Sequence, residues 1–171
     1  MNHAQRNPTY YFSDYNSPCG TLRLLASERG LAALYFEQHR HQASWPKLVE
    51  QGTLRVLQQA QFELDAYFHG KIQTFTVPLD VSQASVFQRT VWAALQTIPY
   101  GETRSYAALA EQIGHHGAAR AVGSANARNP LSIIVPCHRV IASNGDLSGY
   151  AGGLERKKYL LNHEKKIEKA I

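Results

Sequence analysis

Cys137 is followed directly by His138 within Pro136-Cys-His-Arg-Val140, a spacing that raises the question of nucleophilic chemistry. A cysteine attacks as its thiolate, and a free thiol with a pKa of about 8.5 is mostly protonated at neutral pH. A neighbouring cation or base must therefore draw the proton off to give an activated thiolate. Consecutive residues of an extended strand point to opposite faces, so His138 assists Cys137 only if the backbone turns there. Pro136 supplies a reason for such a break. A carboxylate from elsewhere would then orient the imidazole and complete a Cys-His-acid relay. The alternative is a buried, inert cysteine packed beside Ile133-Ile-Val135.

Several elements must position that residue. In the first half, Thr9–Tyr15, Thr21–Ala26 and Leu31–Phe36 read as strands separated by turns at Ser17-Pro-Cys-Gly20 and Glu28-Arg-Gly30. Leu54, Leu57, Gln61, Leu64 and Phe68 recur at helical spacing before Gly70, and Thr74–Leu79 reads as one more strand. From about Asp80–Ser85 the pattern turns helical. Ser85-x-x-Gln88 is a capping box opening a helix that carries Phe87, Val91, Ala94 and Leu95 inward. Ser105 caps a second helix over Tyr106–Ile113, and a His115-His-Gly117 turn leads to a third over Ala118–Ala127. Two short helices joined in this way have helix-turn-helix spacing. The apolar run Leu131–Val135, a turn at Asn144-Gly145, the loop Gly149-Tyr-Ala-Gly-Gly153 and a last helix reaching Glu164 complete the chain.

The third helix is nearly all small residues apart from Arg120, Asn126 and Arg128. A major-groove reader presents several polar side chains in succession. A smooth helix with one long cation instead suits the minor groove, roughly 6 Å wide, with a side chain inserted into the duplex. Ordinary packing of an Ala-rich helix remains the competing explanation.

Charge points the same way. The net charge is +5. Lys+Arg and Asp+Glu balance at seven each through Ser82, whereas eleven positive residues face six negative ones from Gln83 onward. Without Lys165, Lys166 and Lys169 of the tail, eight still face six, so the excess belongs where a polyanion would be met. At 44% hydrophobic residues the chain can bury a core and does not have a disordered composition. It has neither an apolar run of about 18–20 residues, as a membrane helix needs, nor a secretion signal. A cytoplasmic protein with two free thiols, Cys19 and Cys137, is expected.

The motifs of the second half, taken in order, resemble the O6-alkylguanine-DNA alkyltransferases, or methylated-DNA–protein-cysteine methyltransferases. They run from Phe87-Gln-Arg-x-Val-Trp92 through Ile98-Pro-x-Gly101, Tyr106-x-x-Leu-Ala110, Ala119-Arg-Ala-Val-Gly123, Asn129-Pro130 and Pro136-Cys-His-Arg-Val140. Gly149-Tyr-x-Gly-Gly153 and Leu160-Leu-x-His-Glu164 complete them. The first half is similar only through Ser17-Pro-x-Gly-x-Leu22.

The resemblance implies an α+β fold. A small ribonuclease H-like domain of sheet plus helix over 1–82 precedes a helical, winged helix-turn-helix-like domain over 83–171 that binds DNA and transfers the alkyl group. It further implies direct-reversal repair: the alkyl group of O6-alkylguanine in duplex DNA, and of O4-alkylthymine as a possible second substrate, passes irreversibly to Cys137, one lesion per protein. His138 would be the base acting through a water, Glu164 its orienting acid, and Asn129 the support of the cysteine turn. Tyr106, Val140, Tyr150, Ala151 and Gly152 would bind the flipped base. An Ala151 backbone N–H would donate to O6, where other members often carry serine, and the Cys137 and Val140 carbonyls would read the exocyclic amine. Arg120 would enter the duplex, with Ala119, Ala121, Gly123, Ser124, Asn126 and Arg128 forming the rest of the minor-groove surface.

The implied partner is double-stranded DNA, met by a monomer, with cooperativity along DNA left open; no cofactor and no membrane are expected. Some members hold zinc, but Cys19, His3, His39, His41 and His69 lack zinc spacing, so no metal is expected. The rival readings are a non-catalytic alkylguanine-binding or regulatory helix-turn-helix protein, and a Cys-His hydrolase or thiol oxidoreductase. Non-catalytic relatives carry tryptophan in place of the cysteine, whereas Cys137 is present. No second cysteine lies near it for redox cycling.

Overall fold

In the computed structural model, which describes residues 9–45 and 47–168, the N-terminal half is built around three strands. β1 (Tyr10–Ser17), β2 (Gly20–Ser27) and β3 (Gly30–Phe36) form an antiparallel meander. The short β4 (Leu48–Glu50), which no sequence signal marks, adds in parallel to β1 and gives the order β3-β2-β1-β4. His3 and Lys169 lie outside the described residues.

Helix α1 (Arg55–Phe68) lies against the sheet and ends where expected, at Gly70 in a left-handed conformation. Its buried stripe is Leu57, Ala60, Glu63, Leu64 and Tyr67, rotated from the Leu54–Gln61–Phe68 line that hydrophobicity alone picks out. Two polar residues on that stripe explain the difference. Glu63 is one of them, and it also explains why Thr74–Leu79 does not form a strand. The Thr76 and Val77 amides, which a ladder would use, donate to the Glu63 carboxylate at 2.8 and 3.1 Å. Pro78 has no amide to offer. The segment meets the sheet at its end, where Leu31 donates to the Pro78 carbonyl and accepts the Asp80 amide around a single bridge between Leu79 and Leu31.

The second half is helical. α2 (Val86–Leu95) begins with the expected capping box between Ser85 and Gln88. The parallel two-residue strands β5 (Arg104–Ser105) and β6 (Val140–Ile141) pair beside α3 (Tyr106–Gln112), which Ser105 caps through the Ala108 amide. α4 (Ala119–Ala127) packs on α2 and α3, and the Trp92 indole donates to the Ala125 carbonyl at 2.9 Å. α5 (Leu154–Glu168) runs past Glu164. Leu131–Val135 is a buried turn rather than a strand.

One hydrophobic core runs through both halves, from Leu22, Leu34 and Leu64 to Val91, Leu109, Val135 and Leu160. β3 forms the seam. Its Leu34 amide donates to the Pro130 carbonyl, and the Ser132 amide donates back to Leu34. The turn that precedes Cys137 is therefore registered directly against the N-terminal sheet.

Candidate active site

Asn129 shapes the turn that presents the cysteine. Its side-chain oxygen accepts the Leu131 amide at 3.0 Å and its amide group donates to the Val135 carbonyl at 2.8 Å, closing the loop on itself. Within that turn Ile133 adopts a φ of 70°, a left-handed conformation that costs a β-branched residue on the order of 1–3 kcal/mol. Burial of Ile133 and the Asn129 bonds hold it there. The chain then winds through one 3-10 turn over Cys137–Arg139, so the backbone does bend between Cys137 and His138.

His138 and Glu164 are fully buried, and the His138 Nε2–H donates to Glu164 Oε1 at 2.7 Å. Arg139 grips the same carboxylate with both arms of its guanidinium. Nε donates to Oε2 at 2.9 Å and Nη2 to Oε1 at 3.0 Å, while Nη1 caps the Ile98 carbonyl at 2.7 Å. The Gly101 amide (3.1 Å, to Oε2) and the Tyr67 hydroxyl (2.8 Å, to Oε1) complete a carboxylate with five donors. Burial pushes Glu164 up, but the His138 and Arg139 hydrogen bonds and charges outweigh it and hold the acid well below the usual range, hence ionised.

Burial pushes His138 down more strongly than Glu164 raises it, so the resting imidazole is neutral. With Nε2 committed as donor, Nδ1 is the bare, acceptor nitrogen; this tautomer is assigned from the hydrogen bond. Nδ1 is buried and has no partner among the described residues. A neutral base with its lone pair held free in the interior can receive a proton, provided the imidazolium that results is stabilised, as Glu164 arranges.

Cys137 itself is 4% exposed. Burial pushes its thiol up, against smaller opposing effects from Asn129 and the Lys157 charge. The thiolate expected at neutral pH is therefore not the resting species. Burial leaves the sulfur protonated at neutral pH.

Lys157, which sequence reasoning missed, is fully buried on α5 and donates to the carbonyls of Val140 at 2.6 Å and Ser148 at 2.8 Å. A signal was available: Lys157, Leu160, Leu161 and Glu164 share one helical stripe, so a lysine was written onto a buried face. Arg139, noted only as part of a motif, is the second residue missed. Tyr67 is the third.

The remaining expected residues divide by burial. Tyr106 is half-buried and its hydroxyl accepts a bond from Ser148 at 3.4 Å. Tyr150 is buried, its hydroxyl near that of Ser132 without hydrogen-bond geometry between them. Gly152 lies against Phe36 of β3, where an added Cβ would sit 2.6 Å from the ring. The Ala151 carbonyl accepts the Arg40 amide at 3.2 Å, while the Ala151 N–H makes no bond among the described residues. The Val140 carbonyl is held by Lys157, and that of Cys137 receives the Val140 amide and Asn126 Nδ2. Both carbonyls expected to read the base are thus already engaged.

On α4, Arg120, Ala121, Ser124 and Arg128 are exposed, with Ala119 and Gly123 partly so. Asn126 corrects the expectation: it is 3% exposed and turned inward onto the Cys137 carbonyl at 3.4 Å. The helical repeat puts it on the Val122–Ala125 face.

A cavity of about 460 Å³ lies elsewhere, between the 40–45 segment and α2, and includes neither Cys137 nor His138. Among the described residues no cluster of three or more His, Cys, Asp or Glu could hold a metal ion, and no helix is long and apolar enough to cross a membrane.

Comparison with known proteins agrees along most of the chain. Residues 10–81 match the ribonuclease-like domain, and residues 86–166 the DNA binding domain, of 6-O-methylguanine DNA methyltransferase. The methylated-DNA–protein-cysteine methyltransferase of Mycolicibacterium paratuberculosis is 49% identical, the match covering 88% of this chain and 90% of that protein. The corresponding protein of Methanosarcina acetivorans is 44% identical over 90% and 97%. The crystal structure of Mycobacterium tuberculosis OGT in complex with DNA superposes with a TM-score of 0.86 at 44% identity, covering 92% of this chain and 94% of that one.

Proposed function

This chain belongs to the 6-O-methylguanine DNA methyltransferase family, and from that membership we propose how its residues carry out the repair. The protein is a methylated-DNA–protein-cysteine methyltransferase: it binds DNA and removes alkyl groups from it by transfer to itself. The acceptor is Cys137, the substrate O6-alkylguanine flipped from the duplex, and the approach is through the minor groove along α4. The division at 82/83 separates the domain that braces the site from the domain that carries it.

The observation that carries this reading is the free Nδ1 of His138, the residue that follows a buried thiol in the chain, with Nε2 committed to an ionised Glu164. Cys137 is almost closed off, so a base reaches it only if the 146–153 loop yields. Extracting the base costs a few kcal/mol, and Arg120, exposed on α4, offsets part of that by filling the gap. The thiol proton passes to His138 Nδ1, through a water, and the thiolate attacks the alkyl carbon. The S–C bond forms as the C–O6 bond breaks, and its electron pair leaves with guanine. Hydrogen bonds from the Ala151 N–H and the Tyr106 hydroxyl stabilise the departing base, which takes up a proton from solvent while His138 returns its own. The step is redox-neutral and the thioether is inert, so each molecule acts once, as a monomer.

The decisive experiment incubates the protein with a methylguanine oligonucleotide and weighs it. One added methyl, mapped to Cys137 and absent in Cys137→Ser, is expected. A methyl found on another residue, or continued demethylation by Cys137→Ser, would reject the assignment.

A further inference from the structure

Glu164 is held partly from the other domain. The Tyr67 hydroxyl, at the end of α1, donates to Oε1 of Glu164 at 2.8 Å, the same oxygen that receives the His138 Nε2–H at 2.7 Å. Tyr67 is fully buried, packed edge-on against Tyr100 and Phe68 and tilted against His163, whose ring nitrogen lies 3.1 Å from the Tyr67 carbonyl. Those contacts fix the ring, so the hydroxyl has one direction in which to donate. We propose that Tyr67 is a positioning residue for alkyl transfer, through which the N-terminal domain sets the basicity of His138 by competing with it for one carboxylate oxygen. The proposal rests on the reading of His138 as the base for Cys137.

The physical argument concerns how the carboxylate shares its charge. Each donor to Oε1 withdraws negative charge that would otherwise stabilise an imidazolium. Arg139 does so strongly, but it also belongs to the cysteine turn, whereas Tyr67 reaches in from α1 and carries no charge of its own. The charged and titratable groups around His138 are Glu164 and Lys157 from α5, Arg139 and Cys137 from the turn, and, behind Glu164, Tyr67 from α1 and Tyr100. His163 lies on the far side of Tyr67. Among these, Tyr67 can lose its donor while keeping its shape. Tyr67→Phe leaves Oε1 with two donors instead of three, so Glu164 stabilises the His138 imidazolium more. His138 then holds its proton to higher pH and is unavailable to accept one from Cys137.

The test measures single-turnover alkyl uptake from a methylguanine duplex as a function of pH, in the full-length wild type, in Tyr67→Phe, and with 3,5-difluorotyrosine placed at position 67. The expected result is an acidic limb moved up by about half a unit to one unit in Tyr67→Phe, a roughly three- to tenfold slower rate on that limb, converging with wild type at higher pH. The fluorinated phenol, a stronger donor of nearly the same size, should move the limb the opposite way, and it keeps the test intact should the phenylalanine variant fold poorly. Superimposable limbs in an active wild type and its variants would overturn the role of Tyr67 alone. A wild type that takes up no alkyl group would overturn the reading beneath it.

Discussion

The Lys157 ammonium stands 2.6 Å from the Val140 carbonyl and 2.8 Å from that of Ser148, tying α5 both to the strand that follows the cysteine turn and to the loop that carries Ser148. With Glu164, which binds His138 and Arg139, it makes α5 an anchor for both segments. The consequences are measurable.

Burial draws Lys157 from its ordinary 10.5 down to about 8. Between those values the unfolded chain binds the extra proton, so this residue makes stability rise with pH across that window. Lys157→Met removes the buried amine but leaves two carbonyls unsatisfied, at about 1–3 kcal/mol each. The variant should be less stable than wild type at pH 7. The deficit should widen from pH 8 to 10.5, read by denaturant unfolding of both proteins side by side, which cancels the tyrosine and cysteine titrations they share.

Glu164 gives a slope of the same sign at acidic pH, although here it is the charged form that the fold stabilises. Its folded acid is held far below the usual range, so its contribution is complete above an ordinary glutamate value and is lost as pH falls below about 4.3. Glu164→Gln strands Arg139 in the interior and should cost about 3–5 kcal/mol at neutral pH. Its melting temperature should also lose part of the decline that wild type shows on acidification, and a parallel decline in the two proteins would reject the assignment.

Asn129 makes both bonds that close the cysteine turn. Asn129→Ala should lower stability by about 2–3 kcal/mol, because it leaves a buried carbonyl and amide unpaired. Alkyl uptake should fall far more than affinity for unmodified duplex, since α4 is untouched; equal losses in the two assays would place Asn129 in the fold alone.

The faces of α4 separate two effects. Arg128→Ala should reduce the salt slope of DNA binding by about one, as for one lost phosphate contact. Asn126→Ala should leave that slope unchanged and instead destabilise the turn that it reaches at the Cys137 carbonyl. Fluorescence anisotropy on a duplex at several salt concentrations distinguishes them.

Arg120→Ala should impair repair in duplex DNA more than reaction with free alkylguanine, because the role we propose for it is filling the gap left by the flipped base. Equal losses on both substrates, measured as alkylation of Cys137, would remove that role.

Much of this protein is written locally. The capping box at Ser85, the cap at Ser105, the stop at Gly70 and the three strands of the meander depend on a few neighbouring residues, and each forms where the sequence places it. The pairing of Cys137 with His138 is equally legible, because the ordered motifs around it span the second half. Apart from the pair His138–Glu164, which the motifs name, what the sequence leaves undecided are polar groups whose partners are distant along the chain. Glu63 captures the amides of Thr76 and Val77 and dissolves an expected strand; Asn126 turns inward; Lys157 is buried on two carbonyls; and Tyr67 meets Glu164 across 97 positions. Periodicity scores these residues as polar and assigns them to the surface. A buried polar side chain is instead placed by the one partner that satisfies it, and that partner exists only once the chain has folded. The proposed nucleophile is named by local information, whereas the base proposed to serve it is set by contacts that tertiary structure alone supplies.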